Sequence, residues 1–113
     1  MEPAIVVGKA YDFALWVLPK VERFPRSQRF TVGDRLIAAT LDLLLALVEA
    51  AYARRKDALL ETAQAKVNTV RYLLRLSKDL RLLPHASYQF AAEALEEIGR
   101  MAGGWRRSRE REA

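Results

Sequence analysis

The chain has 113 residues, about the length of one domain, and 51% of them are apolar, which is enough for one hydrophobic core. Alanine and leucine supply 35 residues against 15 for valine, isoleucine and threonine, which argues against a sheet protein. The absence of cysteine excludes disulfides and thiolate metal sites, and the single histidine excludes a cluster of imidazole ligands. The net charge is +5, and 14 of the 19 basic residues are arginines, whose planar fork fits phosphate and favours a polyanionic partner.

The first helix is predicted over residues 7–24 by its apolar spacing. Pro19 lies inside this pattern and predicts a kink, because it lacks an N–H donor. Pro25 disfavours helical geometry in Phe24, so the helix must end there. The second helix is predicted from a cap at Thr31, with Asp34 three residues later, to residue 53.

The third helix is predicted over residues 58–82, and the fourth from a cap at Ser87 to a glycine pair at Gly103 and Gly104. Four helices with short connections predict an all-α, antiparallel up-down-up-down four-helix bundle. We therefore assign residues 1–105 to the bundle and residues 106–113 to a short Arg/Glu-rich tail. The tail either extends the last helix or does not pack on the bundle.

The second predicted helix is apolar around more than half of its circumference. One bundle core needs less apolar surface than this, and exposed apolar patches on soluble proteins usually mark contacts. The sequence therefore predicts a homo-oligomer. The alternative is a wide alanine-rich face, which is common in small bundles.

The residues that could support catalysis are few. Glu93, Glu96 and Glu97 cluster, but a di-metal bundle also needs Glu-x-x-His pairs, and the only histidine, His85, falls in a predicted loop. Nucleophilic catalysis needs a base beside the nucleophile, and His85 and Ser87 lie two residues apart, but loops at helix ends often hold such residues with no catalytic role. A small hydrolase or metal-dependent enzyme remains a third hypothesis, but we expect a protein with no enzymatic activity, no metal and no cofactor.

Basic residues form three clusters along the chain: one around the first loop, one on the third helix and one in the tail. Such clusters on one small chain predict contact with RNA or DNA through phosphate groups. The stacking aromatics of an RNA-recognition sheet are absent, so base-specific binding is not expected. The clusters are Lys20, Arg23, Arg26, Arg29 and Arg35; Lys66, Arg71, Arg75, Lys78 and Arg81; and the five arginines from Arg100 to Arg111.

The first residues, Met-Glu-Pro, lack the basic and apolar regions of a signal peptide. The longest apolar run covers residues 43–48, well short of the ~20 residues that span a bilayer. We therefore expect a cytoplasmic protein with no membrane partner.

Four segments, in this order, resemble the accessory variability determinant (Avd) of diversity-generating retroelements, a bacterial family. This family is similar to the four-helix-bundle proteins encoded in intervening sequences of ribosomal RNA genes. The resemblance covers about residues 11–105 and rests on the ordered set rather than on one motif. The segments are WVLPKVERFPR at 16–26, FTVGDR at 30–35, RYLLRLSKDL at 71–80 and EEIGRMAGGW at 96–105.

The resemblance implies a four-helix bundle that assembles into a homopentameric barrel with a basic surface. It also implies association with the retroelement reverse transcriptase and its template RNA, in support of error-prone cDNA synthesis, with no catalytic site in this chain. Trp105, after the glycine pair, is expected to pack back on the bundle. Basic residues inside the matched segments are the candidate contacts to nucleic acid or polymerase: Arg23, Arg26, Arg35, Arg71, Arg75, Lys78 and Arg100.

The alternative is a stand-alone bundle of the ribosomal-intervening-sequence type, with a structural or unknown function. A neighbouring reverse transcriptase gene with near-identical repeats would favour the retroelement role. The basic charge also favours that role over the stand-alone bundle.

Overall fold

The structure is a computed structural model that describes residues 3–112. These residues form four long helices, α1 (Pro3–Glu22), α2 (Asp34–Tyr52), α3 (Asp57–Asp79) and α4 (His85–Glu112), and they contain no strand. A short helical connector, residues 26–33, precedes α2. The prediction of an all-α chain with four helices is confirmed.

Each long helix packs against its neighbours in the chain, and α4 packs back against α1, so the four helices enclose one core. The body measures 47 × 23 × 19 Å, which is the elongated shape of a bundle. The ends of α1 and α3 lie beside the starts of α2 and α4, and we call this the connector end. The largest fully buried core side chains are Leu36, Leu43, Leu47, Leu60, Leu74, Leu95 and Ile98.

Helix α1 begins at Pro3, earlier than the predicted residue 7, because proline suits a first helical turn, where its missing N–H is not needed. The helix continues through Pro19 to Glu22. Its two following residues form the predicted break, in which the Phe24 N–H donates to the Val21 carbonyl at 2.9 Å.

The connector replaces the predicted loop and the predicted cap. An α-helical turn at Arg26–Gln28 passes into a π-helical turn at Arg29–Gly33 and then into α2 without a break. The Thr31 hydroxyl donates back to the carbonyls of Ser27 and Gln28, at 3.2 and 3.3 Å, instead of accepting from a free N–H. The predicted cap at Thr31 is therefore wrong, since the helix has already begun.

Helix α3 ends three residues earlier than predicted, in a left-handed turn. Arg81 has φ 63°. Its N–H donates to the Lys78 carbonyl at 2.9 Å, and the N–H of Leu82 donates to the Ser77 carbonyl at 2.8 Å. This pair of hydrogen bonds is the Schellman arrangement, in which the left-handed position is usually glycine.

Helix α4 begins at His85, so Ser87 is not its cap, and it continues through the glycine pair to Glu112. The predicted end at Gly103 and Gly104 is wrong because Gly103 serves close packing: a Cβ there would lie 3.0 Å from the Gln64 side chain. Trp105 is buried, as predicted.

Gly33 offers a direct test of how the connector packs on α1. A Cβ at this position would lie 2.9 Å from Cγ1 of buried Val21 and 3.4 Å from the Gln28 carbonyl oxygen. Overpacking of this kind costs about 1–3 kcal/mol, so we expect Gly33→Ala to lower the free energy of unfolding despite the better helix propensity of alanine. Urea unfolding of both proteins measures the difference.

A double-mutant cycle identifies the cause. In a Val21→Ala background the clashing methyl group is gone, so Gly33→Ala is expected to cost much less there than in the parent chain. Equal losses in both backgrounds would contradict packing against Val21 as the reason for the glycine.

Candidate nucleic-acid interface

The seven candidate residues fall into two groups in the bundle. Arg23, Arg26 and Arg35 are exposed and lie at the connector end, in the turn after α1, in the connector and in the first turn of α2. Of the other four, Arg71, Arg75 and Lys78 lie on α3, and Arg100 lies on α4. We name the first three, with Arg29, the connector arginines.

Two of the three candidates on α3 are held by neighbouring side chains. Nη2 of Arg71 lies 3.1 Å from Oε2 of Glu96 on α4, and Nη1 of Arg71 donates to the Asn68 side chain. Nζ of Lys78 lies 3.7 Å from Oδ1 of Asp79 and 4.7 Å from the centre of the Tyr88 ring. These contacts neutralise part of the charge that the sequence assigned to this face.

Arg75 differs from its two neighbours on α3. It is exposed, and within the described part of the chain no carboxylate lies within 4 Å of its guanidinium. Arg100 is also exposed and lines a shallow cavity of about 270 Å³ between α3 and α4, together with Arg71 and Glu96. Glu96 pairs with Arg71 across the two helices, although its spacing to Arg100 also permits a pair.

The connector arginines carry more available charge. No carboxylate among residues 4–111 lies within 4 Å of any of them, whereas Arg71 and Lys78 each have one and Arg106 has two. Nη1 of Arg29 donates to the backbone carbonyl of Glu22 at 3.4 Å, which ties the connector to the end of α1. A guanidinium without a carboxylate partner keeps its full charge for a phosphate.

Phe30 is the feature of this site that sequence reasoning missed. This residue is 59% exposed, and the guanidinium carbons of Arg26 and Arg29 lie 5.8 and 5.5 Å from the centre of its ring. Arginines one and four residues before an aromatic residue give this arrangement once the segment is helical. The sequence interpretation placed these residues in a loop, where the spacing carries no such meaning.

Two of the three carboxylates in the acidic cluster on α4, Glu96 and Glu97, form ion pairs. Oε1 of Glu97 lies 2.9 Å from Nζ of Lys9. This hydrogen bond and the charge of Lys9 hold the pKa of Glu97 below its ordinary value, and Arg100 adds a smaller effect in the same direction. Within residues 3–112 no group of three His, Asp or Glu side chains is arranged to hold a metal ion.

The basic tail belongs to α4 and is partly fixed to α3. Nη1 of Arg106 donates to Oε1 of Gln64 at 3.0 Å, and its Nη2 lies 3.8 Å from Oε2 of Glu61. Part of the tail therefore lies on the bundle, at the end opposite the connector. In the described chain no helix is both long and apolar enough to cross a membrane.

Comparison with known families agrees with this arrangement. A model of the bAvd-like family matches residues 4–109. The chain belongs to the bAvd-like family. The resemblance found from the four sequence segments is thereby confirmed, and the family match points to an Avd-type accessory protein.

A solved structure with the same fold is that of a protein with unknown function from the S23 ribosomal protein family of Bacteroides thetaiotaomicron. It superposes with a TM-score of 0.87 and 17% sequence identity, covering 95% of this chain and 99% of that chain. At this identity the likeness establishes the four-helix fold alone. Comparison with curated proteins gives no match.

Proposed function

We propose that this bAvd-like chain is a non-enzymatic accessory factor of a diversity-generating retroelement. It binds the element's reverse transcriptase and its template RNA or cDNA in the cytoplasm and supports mutagenic cDNA synthesis. The observation that carries this proposal is the family match together with the connector arginines, which have no carboxylate partners within the described residues. Free guanidinium groups bind phosphate and release counterions from the nucleic acid.

The proposal includes self-association through apolar surface. A groove between α1 and α2, which we call the α1–α2 groove, comprises cavities of about 280 and 700 Å³. Leu15 and Tyr52 in this groove are 59% and 89% exposed. Large apolar side chains exposed along one groove are typical of a protein interface. Its lining includes Val7, Tyr11, Leu15, Leu18, Leu41, Leu44, Val48 and Tyr52.

A second apolar surface supports a ring. Tyr72 and Leu76 on α3 and Leu80, the residue directly after its end, are 66%, 43% and 47% exposed, at four-residue spacing, and we call them the α3 stripe. A closed ring of five needs two different contact surfaces on each chain, because its interfaces are head-to-tail. We propose that the α1–α2 groove of one chain receives the α3 stripe of the next, which gives the homopentamer.

Co-purification tests the proposed function. The full chain, tagged and expressed with the reverse transcriptase encoded beside it, is expected to retain that polymerase and its template RNA in moderate salt. Treatment with ribonuclease separates a direct protein contact from one bridged by RNA. A gene without a neighbouring reverse transcriptase, or a polymerase that never co-purifies, would contradict the retroelement role.

The second candidate is a stand-alone bundle of the ribosomal-intervening-sequence type. The shared fold with the S23 ribosomal protein family member favours it, although that protein itself has unknown function. It predicts no polymerase partner, so the same co-purification distinguishes the two candidates.

A further inference from the structure

The packing of the bundle does not explain the exposure of Phe30. The other exposed phenylalanine, Phe90, stacks on Trp16 with ring centres 5.2 Å apart. The ring of Phe30 instead has the guanidinium groups of Arg26 and Arg29 beside it, and more than half of the residue is exposed. Water-exposed phenyl surface contributes little to the core, so this ring is available to a ligand.

We propose that Phe30 is a stacking platform for an unpaired base of a single-stranded nucleic acid, and that Arg26 and Arg29 bind the phosphates on either side of that base. The proposal rests on the proposed function, since it specifies the form of nucleic acid that the connector recognises. It assigns Phe30 a direct contact with the base, which binding through charge on the phosphates alone would not require.

The ligand class follows from the chemistry of the ring and its neighbours. Stacking on an aromatic side chain needs a base whose face is free, which a single strand offers and an intact duplex does not. Every base has such a face, so contact of this kind has little sequence preference. The two guanidinium groups leave the ring for adjacent phosphates when a base takes their place.

The charge of the segment is complementary to a nucleic-acid backbone. Five basic and two acidic side chains lie between residues 20 and 35, and the two acidic ones are Glu22 and Asp34. Neither of these carboxylates lies within 4 Å of a connector arginine among the described ion pairs. A strand bound at Phe30 therefore meets net positive charge.

The platform is held in place by the fold. The π-helical turn contains Phe30, and the close approach of Gly33 to Val21 fixes that turn on α1. A π-helical turn inside a helix is frequently a functional site. Little ordering of the protein is therefore needed when a strand binds.

The experiment compares two phenylalanines in the full chain. Fluorescence anisotropy measures the Kd for a labelled single-stranded RNA, for DNA of the same sequence and for the matching DNA duplex. We expect Phe30→Leu to weaken binding of the single strands about tenfold and to leave the duplex unchanged. Phe90→Leu, the same substitution at a similarly exposed ring, is the matched control and is expected to change neither.

Further measurements separate stacking from a structural effect. Phe30→Leu is expected to leave the dependence of log Kd on log salt unchanged, because no phosphate contact is lost, and Phe30→Trp is expected to restore affinity. The RNA and DNA arms show which strand binds more tightly, which depends on the 2′-hydroxyl. Circular dichroism checks that the variants keep the helical content of the parent chain.

Two results would overturn the proposal while leaving the proposed function intact. One is that the parent protein binds single strands no better than Phe30→Leu does. The other is that Phe30→Leu weakens binding of the duplex and of the single strands equally. Parent protein that binds none of the three probes at low salt would instead contradict nucleic-acid binding itself, and with it the proposed function.

Discussion

The double variant Leu15→Glu, Tyr52→Glu is expected to be a single chain of 12.9 kDa, whereas the parent protein is expected to assemble from about five chains. Both side chains line the α1–α2 groove, one from each helix, and both are more than half exposed in the isolated chain. Burying two carboxylates in an apolar interface costs several kcal/mol per contact, repeated around the ring. Light scattering at micromolar concentration gives the mass, and circular dichroism is expected to show unchanged helicity.

A matched control adds two carboxylates outside both apolar surfaces. The double variant Ala86→Glu, Gln89→Glu introduces the same number of glutamates at exposed positions in the first turns of α4. The assembly that this variant forms is expected to keep the mass of the parent assembly. A monomeric parent protein, or a groove variant that keeps the five-chain mass, would contradict assembly through this groove.

Head-to-tail assembly has a sharper consequence. Leu76→Glu alters the α3 stripe and leaves the α1–α2 groove intact, so it is also expected to give single chains. The groove variant and the stripe variant each retain one working surface, and these surfaces are complementary. An equimolar mixture of the two is therefore expected to form a species of two chains, whereas an interface between like surfaces gives no such species.

The architecture follows from signals that are local in the sequence. Long apolar patterns at helical spacing predict the four helices, and short connections predict that neighbours in the chain pack together. The ends are harder to predict, because cap residues compete with packing. Thr31 and Gly103 have the residue types of a cap and a stop, but the π-helical turn and the close contact with Gln64 assign them other roles.

The site is less predictable, because a sequence gives the charge of a residue and not its partner. Arg71 and Glu96 are 25 positions apart in the sequence, and only the packing of α3 on α4 brings them together. The position of Phe30 beside two arginines depends on helical geometry in a segment that the sequence predicts to be a loop. Pairing and geometry therefore decide which of the predicted basic residues keep their charge for a ligand.

The two groups of basic residues are expected to differ in how they bind nucleic acid. A triple variant of the connector, with Arg23, Arg26 and Arg35 each changed to glutamine, loses three guanidinium groups that have no carboxylate partner among the described residues. Each lost phosphate contact lowers the slope of log affinity against log salt by about 0.7 for a single strand, so this variant is expected to lose about 2.

The matching triple variant on α3 is expected to lose much less. Among Arg71, Arg75 and Lys78, only Arg75 is free of a carboxylate in the described structure, so glutamine at all three is expected to lower the slope by about 0.7. Glutamine is preferable to glutamate here, because a carboxylate at position 71 would face Glu96 and destabilise the contact between α3 and α4.

Anisotropy titrations with a single-stranded RNA from about 50 to 200 mM salt measure both slopes, and light scattering checks that each variant keeps the mass of the parent. A larger loss for the α3 variant would mean that the strand displaces Glu96 and Asp79 from their basic partners and binds along α3. If both variants bind as tightly as the parent chain and keep its salt dependence, the contact lies instead at the arginines near the end of α4. The comparison therefore tests whether a basic residue contributes to binding because its charge has no partner in the folded chain, and not because it belongs to a cluster of basic residues in the sequence.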